Sequence, residues 1–99
     1  MKVEIIENDI EKTFTFMEDI TSSNIGRFEE LVYRTTRNDT RDIILDLSNI
    51  SKIDSMSIAA LIRIKNRLIE QGKTLKLSNP NGGVMRMLEL SGLDEFLLD

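Results

Sequence analysis

The side chains with chemical promise in this chain are serines and aspartates, because the usual catalytic residues are missing. Its 99 residues include no cysteine and no histidine. That removes disulfides, thiol nucleophiles and zinc–thiolate sites. It also removes histidine general bases, Ser-His-Asp triads and imidazole metal ligands. Acid–base work would fall to Asp, Glu, Lys or Tyr33, and no nucleophile–base pair can be assembled from them, so the chain does not read as an enzyme. One stretch stands out. The apolar run Asp42-Ile-Ile-Leu-Asp-Leu-Ser48 leads, through a short loop, into Ile53-Asp54-Ser55-Met56-Ser57-Ile58. A strand, a loop and a helix start would deliver Ser55 to a helix N-terminus, where free N–H groups and about half a positive charge favour an anion. A phosphate on Ser55 would be held by that field, and would add ~1.5–2 negative charges to a surface that a partner could read. The plainer reading makes Asp54 and Ser55 helix N-caps, typically contributing ~1 kcal/mol.

Other constellations carry less. Arg63, Lys65 and Arg67 could meet an acidic partner, but their spacing also suits the solvated side of a helix. Asn81-Gly82-Gly83 precedes a helix without the Lys-Ser/Thr of a phosphate-cradling loop and reads as a turn. Asp42, Asp46 and Asp54 could suggest a metal or phospho-acceptor cluster, yet the lysine that an aspartate phospho-acceptor site requires has no counterpart here. No metal site and no cofactor is expected.

The elements that must position these residues follow from hydrophobic period. Val3 to Ile6 can form a short strand, and Lys12 to Met17 alternates with Phe14 and Phe16 on one face, so a hairpin turning at Asn8-Asp9 is expected. Thr21-Ser22-Ser23-Asn24 offers N-caps for a helix to about Arg37, whose apolar face is Ile25, Phe28, Leu31 and Val32. Asp42 to Leu47 is apolar enough for a strand covered on both faces, as in a parallel sheet. The best helix runs from Ser55 to about Gln71, with Ile58, Leu61, Ile62, Leu68 and Ile69 buried, Arg63, Lys65, Asn66, Arg67 and Glu70 wet, and Gly72 as its C-terminal cap. Thr74 to Ser78 is a strand and Asn79 to Gly83 a loop. Val84, Met87, Leu88 and Leu90 mark a last helix ending near Ser91-Gly92, before an apolar tail at Leu93 to Leu98. The order β-β-α-β-α-β-α implies crossover connections. The expectation is one α/β domain over residues 1–99, a mixed, mostly parallel sheet of about four strands with helices chiefly on one side.

Composition sets the wider bounds. Thirteen basic against seventeen acidic residues leave a net charge of −4, unevenly spread: residues 1–50 carry 6 and 11, residues 51–99 carry 7 and 6. An acidic chain is a poor nucleic-acid ligand, since that affinity comes from Lys and Arg on phosphates. No apolar run approaches ~20 residues, and Met1-Lys2-Val3-Glu4 lacks the shape of a signal peptide, so membrane insertion is not expected and a cytoplasmic location is.

Taken in order, several pieces resemble a STAS domain, the family of sulfate transporter and anti-sigma factor antagonist domains. They are Asp46-Leu47-Ser48 closing a hydrophobic strand, Asp54-Ser55-Met56-Ser57 at a helix start, Gly72, the strand Leu75 to Leu77, and Leu88-Glu-Leu-Ser-Gly-Leu93. The match covers roughly residues 42–97, with a weaker fit over 12–37. The single-domain length is similar to bacterial anti-sigma factor antagonists. That resemblance implies a protein-binding module switched by phosphorylation. The acceptor would be Ser55, with Ser57 as a second candidate, and Asp54, Ser55, Met56, Ser57 and Ile58 would form the docking surface. The implied partners are a serine kinase of the histidine-kinase-like ATPase type, which doubles as the anti-sigma factor, and a PP2C-type phosphatase. The unphosphorylated form would bind the kinase and free the sigma factor. Two positions depart from the family pattern: Met56 stands where Ser or Thr is usual, and Ser57 where Gly is usual. Short STAS proteins also include constitutive cytoplasmic subunits of phospholipid-transport ABC complexes, which is the alternative reading.

Overall fold

The computed structural model describes residues 2–98. Two strands, β1 (Val3–Glu7) and β2 (Glu11–Phe16), form the expected hairpin, followed by α1 (Ile25–Thr36), β3 (Asp42–Asp46), α2 (Ser55–Glu70), β4 (Leu75–Ser78), α3 (Gly82–Leu90) and α4 (Asp94–Leu98). The sheet order is β1-β2-β3-β4. β1 runs antiparallel to β2, with Ile5 opposite Phe14, while β2–β3 and β3–β4 are parallel, with Phe14 beside Leu45 and Leu45 beside Leu77. The mixed, mostly parallel sheet of four strands is therefore as the sequence implied.

Register puts Phe14, Leu45 and Leu77 in one row on the helix-covered face, all essentially inaccessible. Phe28 of α1 meets Phe16 edge-on, with centroids 4.6 Å apart and planes at 87°, a geometry that the ring quadrupoles favour. The opposite face of the sheet is open. Ile44 is half-buried and Lys76 exposed, so β3 is covered on one side only, against the expectation from its apolar run. Its alternate residues Ile43 and Leu45 face the helices, and Ile44 is an apolar residue left on the wet face.

Three further expectations are corrected. The tail Leu93 to Leu98 is helical from Asp94, and buries Leu97 against the core. On α2 the buried stripe is Ile58, Leu61, Ile64 and Leu68, while Ile69 is half-exposed and Ile62 only partly covered. Lys65, expected on the wet side, is buried: its amine bonds the Phe96 carbonyl and lies 4.7 Å from the Phe96 ring centroid. The cause is α4, which covers that flank of α2. On α3 only Val84 and Leu88 are buried, with Met87 and Leu90 facing outward. Gly72 ends α2 as expected, at φ +77°, a conformation open to glycine without a Cβ penalty.

A charged network closes the end of the sheet where β3 begins. Lys12 and Lys73, both buried, donate to the Thr35 and Thr36 carbonyls at 2.7 and 2.8 Å, capping the last turn of α1. Burial pushes the Lys73 amine below its ordinary value. Arg41 holds the Asp39 carboxylate through its Nε (2.9 Å) and Nη2 (2.8 Å), which keeps Asp39 well below the usual carboxylate range.

Candidate functional site

The stretch singled out in the sequence lies at the other end of the sheet. Three loops converge there, leaving the C-terminal ends of β2, β3 and β4. Side chains tie them together. The Asp19 carboxylate accepts the Ser51 hydroxyl and the Ser51 N–H, both at 2.7 Å, and these bonds lower its pKa. Asn81 donates to the Ile50 and Ser51 carbonyls at 2.8 and 3.1 Å, while its Oδ1 caps α3 at the Val84 N–H (2.8 Å). Asn81 is thus the cap of α3, and Gly82 and Gly83, expected in a turn, are its first helical residues. Ile50 and Ile53 anchor the β3–α2 loop in the core.

Asp54 is the N-cap of α2. Its backbone is extended (φ −110°, ψ 178°), and its Oδ1 accepts the Ser57 N–H at 2.8 Å, satisfying one of the free donors of the first turn. The Ser57 amide and then the Ser57 hydroxyl hold the carboxyl below its ordinary value, so it is ionised. Ser57 itself is inaccessible, with its hydroxyl 2.9 Å from the Ile20 carbonyl and 2.8 Å from Asp54 Oδ1. Ile58 is 5% exposed and belongs to the core. Both residues, expected in the docking surface, are buried in the structure.

Ser55 and Met56 are what remains outside. Ser55 is exposed at the first residue of α2, and among the described residues its hydroxyl has no hydrogen-bond partner. Met56 beside it is 54% exposed. A shallow cleft of about 360 Å³, lined by Ile20, Thr21, Lys52, Ile53 and Asp54, opens next to them.

The aspartate-cluster reading does not assemble. Asp42 and Asp46 sit at opposite ends of β3, and among the described residues no three Asp or Glu side chains converge as a metal site. Asp46 instead joins loops, accepting the Ser48 N–H (3.0 Å) and the Asn79 amide (3.2 Å). Burial raises its pKa and these bonds more than offset that. Of the α2 cations, Arg63 pairs with Glu29 of α1, and Arg67 stacks on Tyr33 with its guanidinium 4.1 Å from the ring centroid.

Sequence reasoning missed the work of Asp19 and Asn81. Nothing local marks their bonds to the β3–α2 loop, which lies about thirty residues away from each. Among the described residues no helix is long and apolar enough to cross a membrane.

Known proteins share this fold. The chain superimposes with a TM-score of 0.88 on a Thermotoga maritima protein provisionally assigned as an anti-sigma factor antagonist, at 23% identity, covering 97% of this chain and 83% of that one. An anti-sigma-factor antagonist (STAS) domain protein from Planctomyces limnophilus superimposes at TM-score 0.83 and 15% identity, covering 97% and 86%. At those identities the likeness is one of fold. In sequence, 67 residues are 35% identical to sulfate transporter 3.1 of Arabidopsis thaliana; they are 68% of this chain and 10% of that protein's length. The STAS domain model matches residues 1–98, and the chain belongs to that family.

Proposed function

We propose that this chain is a regulatory protein-binding module of the anti-sigma factor antagonist kind, whose binding depends on the state of Ser55. In this reading the partner is a histidine-kinase-like ATPase that serves both as serine kinase and as anti-sigma factor, and a PP2C-type phosphatase resets the switch. No catalytic role is assigned to the chain itself. The observation that carries the proposal is the contrast between two serines two residues apart. Ser55 is exposed at the helix start with an unengaged hydroxyl, while Ser57 is sealed in the core by Ile20 and Asp54. A kinase can reach the first without unfolding α2, and not the second. The docking surface reduces to Ser55, Met56, the outer edge of Asp54 and the cleft beside them. A phosphate there adds ~1.5–2 charges next to an ionised carboxylate, at a contact where unpaired charge is costly.

Affinity purification from the source cells, with the wild-type chain and Ser55→Asp side by side, tests this. An ATPase of that type should be captured by the wild type and lost with Ser55→Asp. Ser55→Ala should capture it permanently and resist release by ATP. The likeness to a sulfate transporter supports a second reading, a constitutive STAS unit working beside a transport protein, the phospholipid-transport ABC subunit being one form. In that case both variants hold the same partner equally, and the partner is a transport ATPase.

A further inference from the structure

The large apolar side chains left exposed on this chain are not scattered. Among the described residues there are eight, and Ile5, Ile6, Ile10 and Met17 all belong to the β1–β2 hairpin or its immediate flank. Ile5 is 40% exposed on the helix-covered side of β1, and Ile6 is 64% exposed on the open side. β1 is also the outer strand of the sheet, while α4 lies against β4 at the other edge.

The hydrogen-bond phase of that edge is fixed by the hairpin. Asn8 N–H donates to the Glu11 carbonyl at 2.9 Å, and Met17 N–H to the Lys2 carbonyl at 3.1 Å. With the observed register, the even-numbered residues of β1 therefore bond β2, and Val3, Ile5 and Glu7 direct their backbone N–H and C=O groups outward. An edge with unpaired backbone groups and apolar flanks is a template for another strand.

We infer that this edge pairs with a second copy of the chain, β1 against β1, antiparallel about a two-fold axis at Ile5. That register keeps the helix-covered faces of both copies on one side. It sets Ile5 opposite itself, Val3 opposite Glu7 and Glu4 opposite Ile6, so each exposed isoleucine gains a cross-strand neighbour. Charge would normally guard such an edge, but Glu7 is already held within its own chain by Arg41 at 2.8 Å and Lys12 at 3.7 Å. Glu4 remains. The two Glu4 side chains stand diagonally across the axis, ~7–8 Å apart, on the open face, and repel each other. Added salt therefore strengthens the pair. Joining one short strand to another buries less than the ~1,200–2,000 Å² of a stable interface, so the association is weak and appears at high protein concentration.

Analytical ultracentrifugation of the full chain over a wide concentration range tests this. The mass should rise from 11.4 kDa toward twice that value, and rise further in salt. Ile5→Pro should abolish the rise, because the lost N–H is an outward one and no bond to β2 is removed; circular dichroism checks that the variant is folded. A measurement that needs no variant is hydrogen exchange. The Val3, Ile5 and Glu7 amides should slow as concentration rises, while those of α2 do not change. A chain that stays at monomer mass throughout, a dimer that survives Ile5→Pro in folded form, or three amides that exchange equally fast at all concentrations would each overturn the inference. The first outcome would leave the edge to an extended segment of another protein.

Discussion

Ser57→Ala and Ser55→Ala differ by one atom each and should differ greatly in stability. The Ser57 hydroxyl is inaccessible, and its single proton is offered to the Ile20 carbonyl at 2.9 Å and Asp54 Oδ1 at 2.8 Å. Alanine keeps the Ser57 N–H, and so keeps the Asp54 cap. It leaves the Ile20 carbonyl without that donor, in a region closed to water. An unmet buried acceptor costs about 1–3 kcal/mol. For a domain of this size each kcal/mol lowers Tm by roughly 4–8 °C, so a loss on the order of 10 °C is expected. Ser55 contributes no cap, because Asp54 already fills that role. Its replacement is an exposed change, worth within about ±0.5 kcal/mol, or at most a few degrees. Thermal and urea melts of the two variants beside wild type measure the difference, with m-values checked for a common unfolded state. Equal losses, or a larger loss for Ser55→Ala, would refute the assignment of Ser57 as structural and Ser55 as dispensable to the fold.

Three further outcomes follow from the same geometry. Phe28→Ala empties the centre of the helix–sheet contact against Phe16, and should cost ~3–5 kcal/mol, enough to leave a small domain partly unfolded at room temperature in a urea titration. Asp54→Ala removes the α2 cap and should cost ~0.5–2 kcal/mol, read as a shift of the urea midpoint. Acid should destabilise the chain: Asp19, Asp39 and Asp54 all have depressed pKa values in the folded state, so the unfolded chain takes up more protons as pH drops. Stability is complete above the ordinary carboxylate range and is lost as pH falls through it and below. Asp39→Asn should flatten part of that fall in Tm measured between neutral and acidic pH, and an unchanged slope would show that the Arg41 contact does not couple to folding.

What could be read from the sequence was whatever depends on neighbours along the chain. Alternation around Phe14 and Phe16, the helix face of Ile25, Phe28 and Val32 on α1, the start of α2 at Ser55, and Gly72 all express local periodicity or backbone freedom, and each stands where expected. The misses share one cause, which is contact between distant segments. Lys65 reads as wet on its own helix and is covered only because α4 folds onto it. Ile44 reads as core within its run and faces the open side because the helices pack on one face only. At the candidate site, Asp54-Ser55 as a helix start was legible. The division of labour between Ser55 and Ser57 was not, since it rests on the Ile20 carbonyl, thirty-seven residues away.

That division decides how a phosphate at Ser55 would act. A switch can work by refolding its carrier or by changing the surface it shows, and the position of Ser55 favours the second. The first turn of α2 holds no acidic side chain after the cap. A negative group at Ser55 therefore sits in the favourable field of the helix N-terminus, worth ~0.3–1 kcal/mol at an exposed site. Against that stands the neighbouring Asp54 carboxylate, kept ionised by its bonds to Ser57. The two effects are of similar size and opposite sign, both screened by solvent. Ser55→Asp should accordingly leave the urea midpoint within about 1 kcal/mol of wild type, with its secondary structure unchanged. Adding the charge then has nowhere to act except on whatever docks at Ser55 and Met56. A loss of several kcal/mol in Ser55→Asp, or melting of the first turns of α2 seen by hydrogen exchange, would reverse that conclusion: the modification would work by unfolding the docking helix, and binding would be lost for lack of a surface and not for excess of charge.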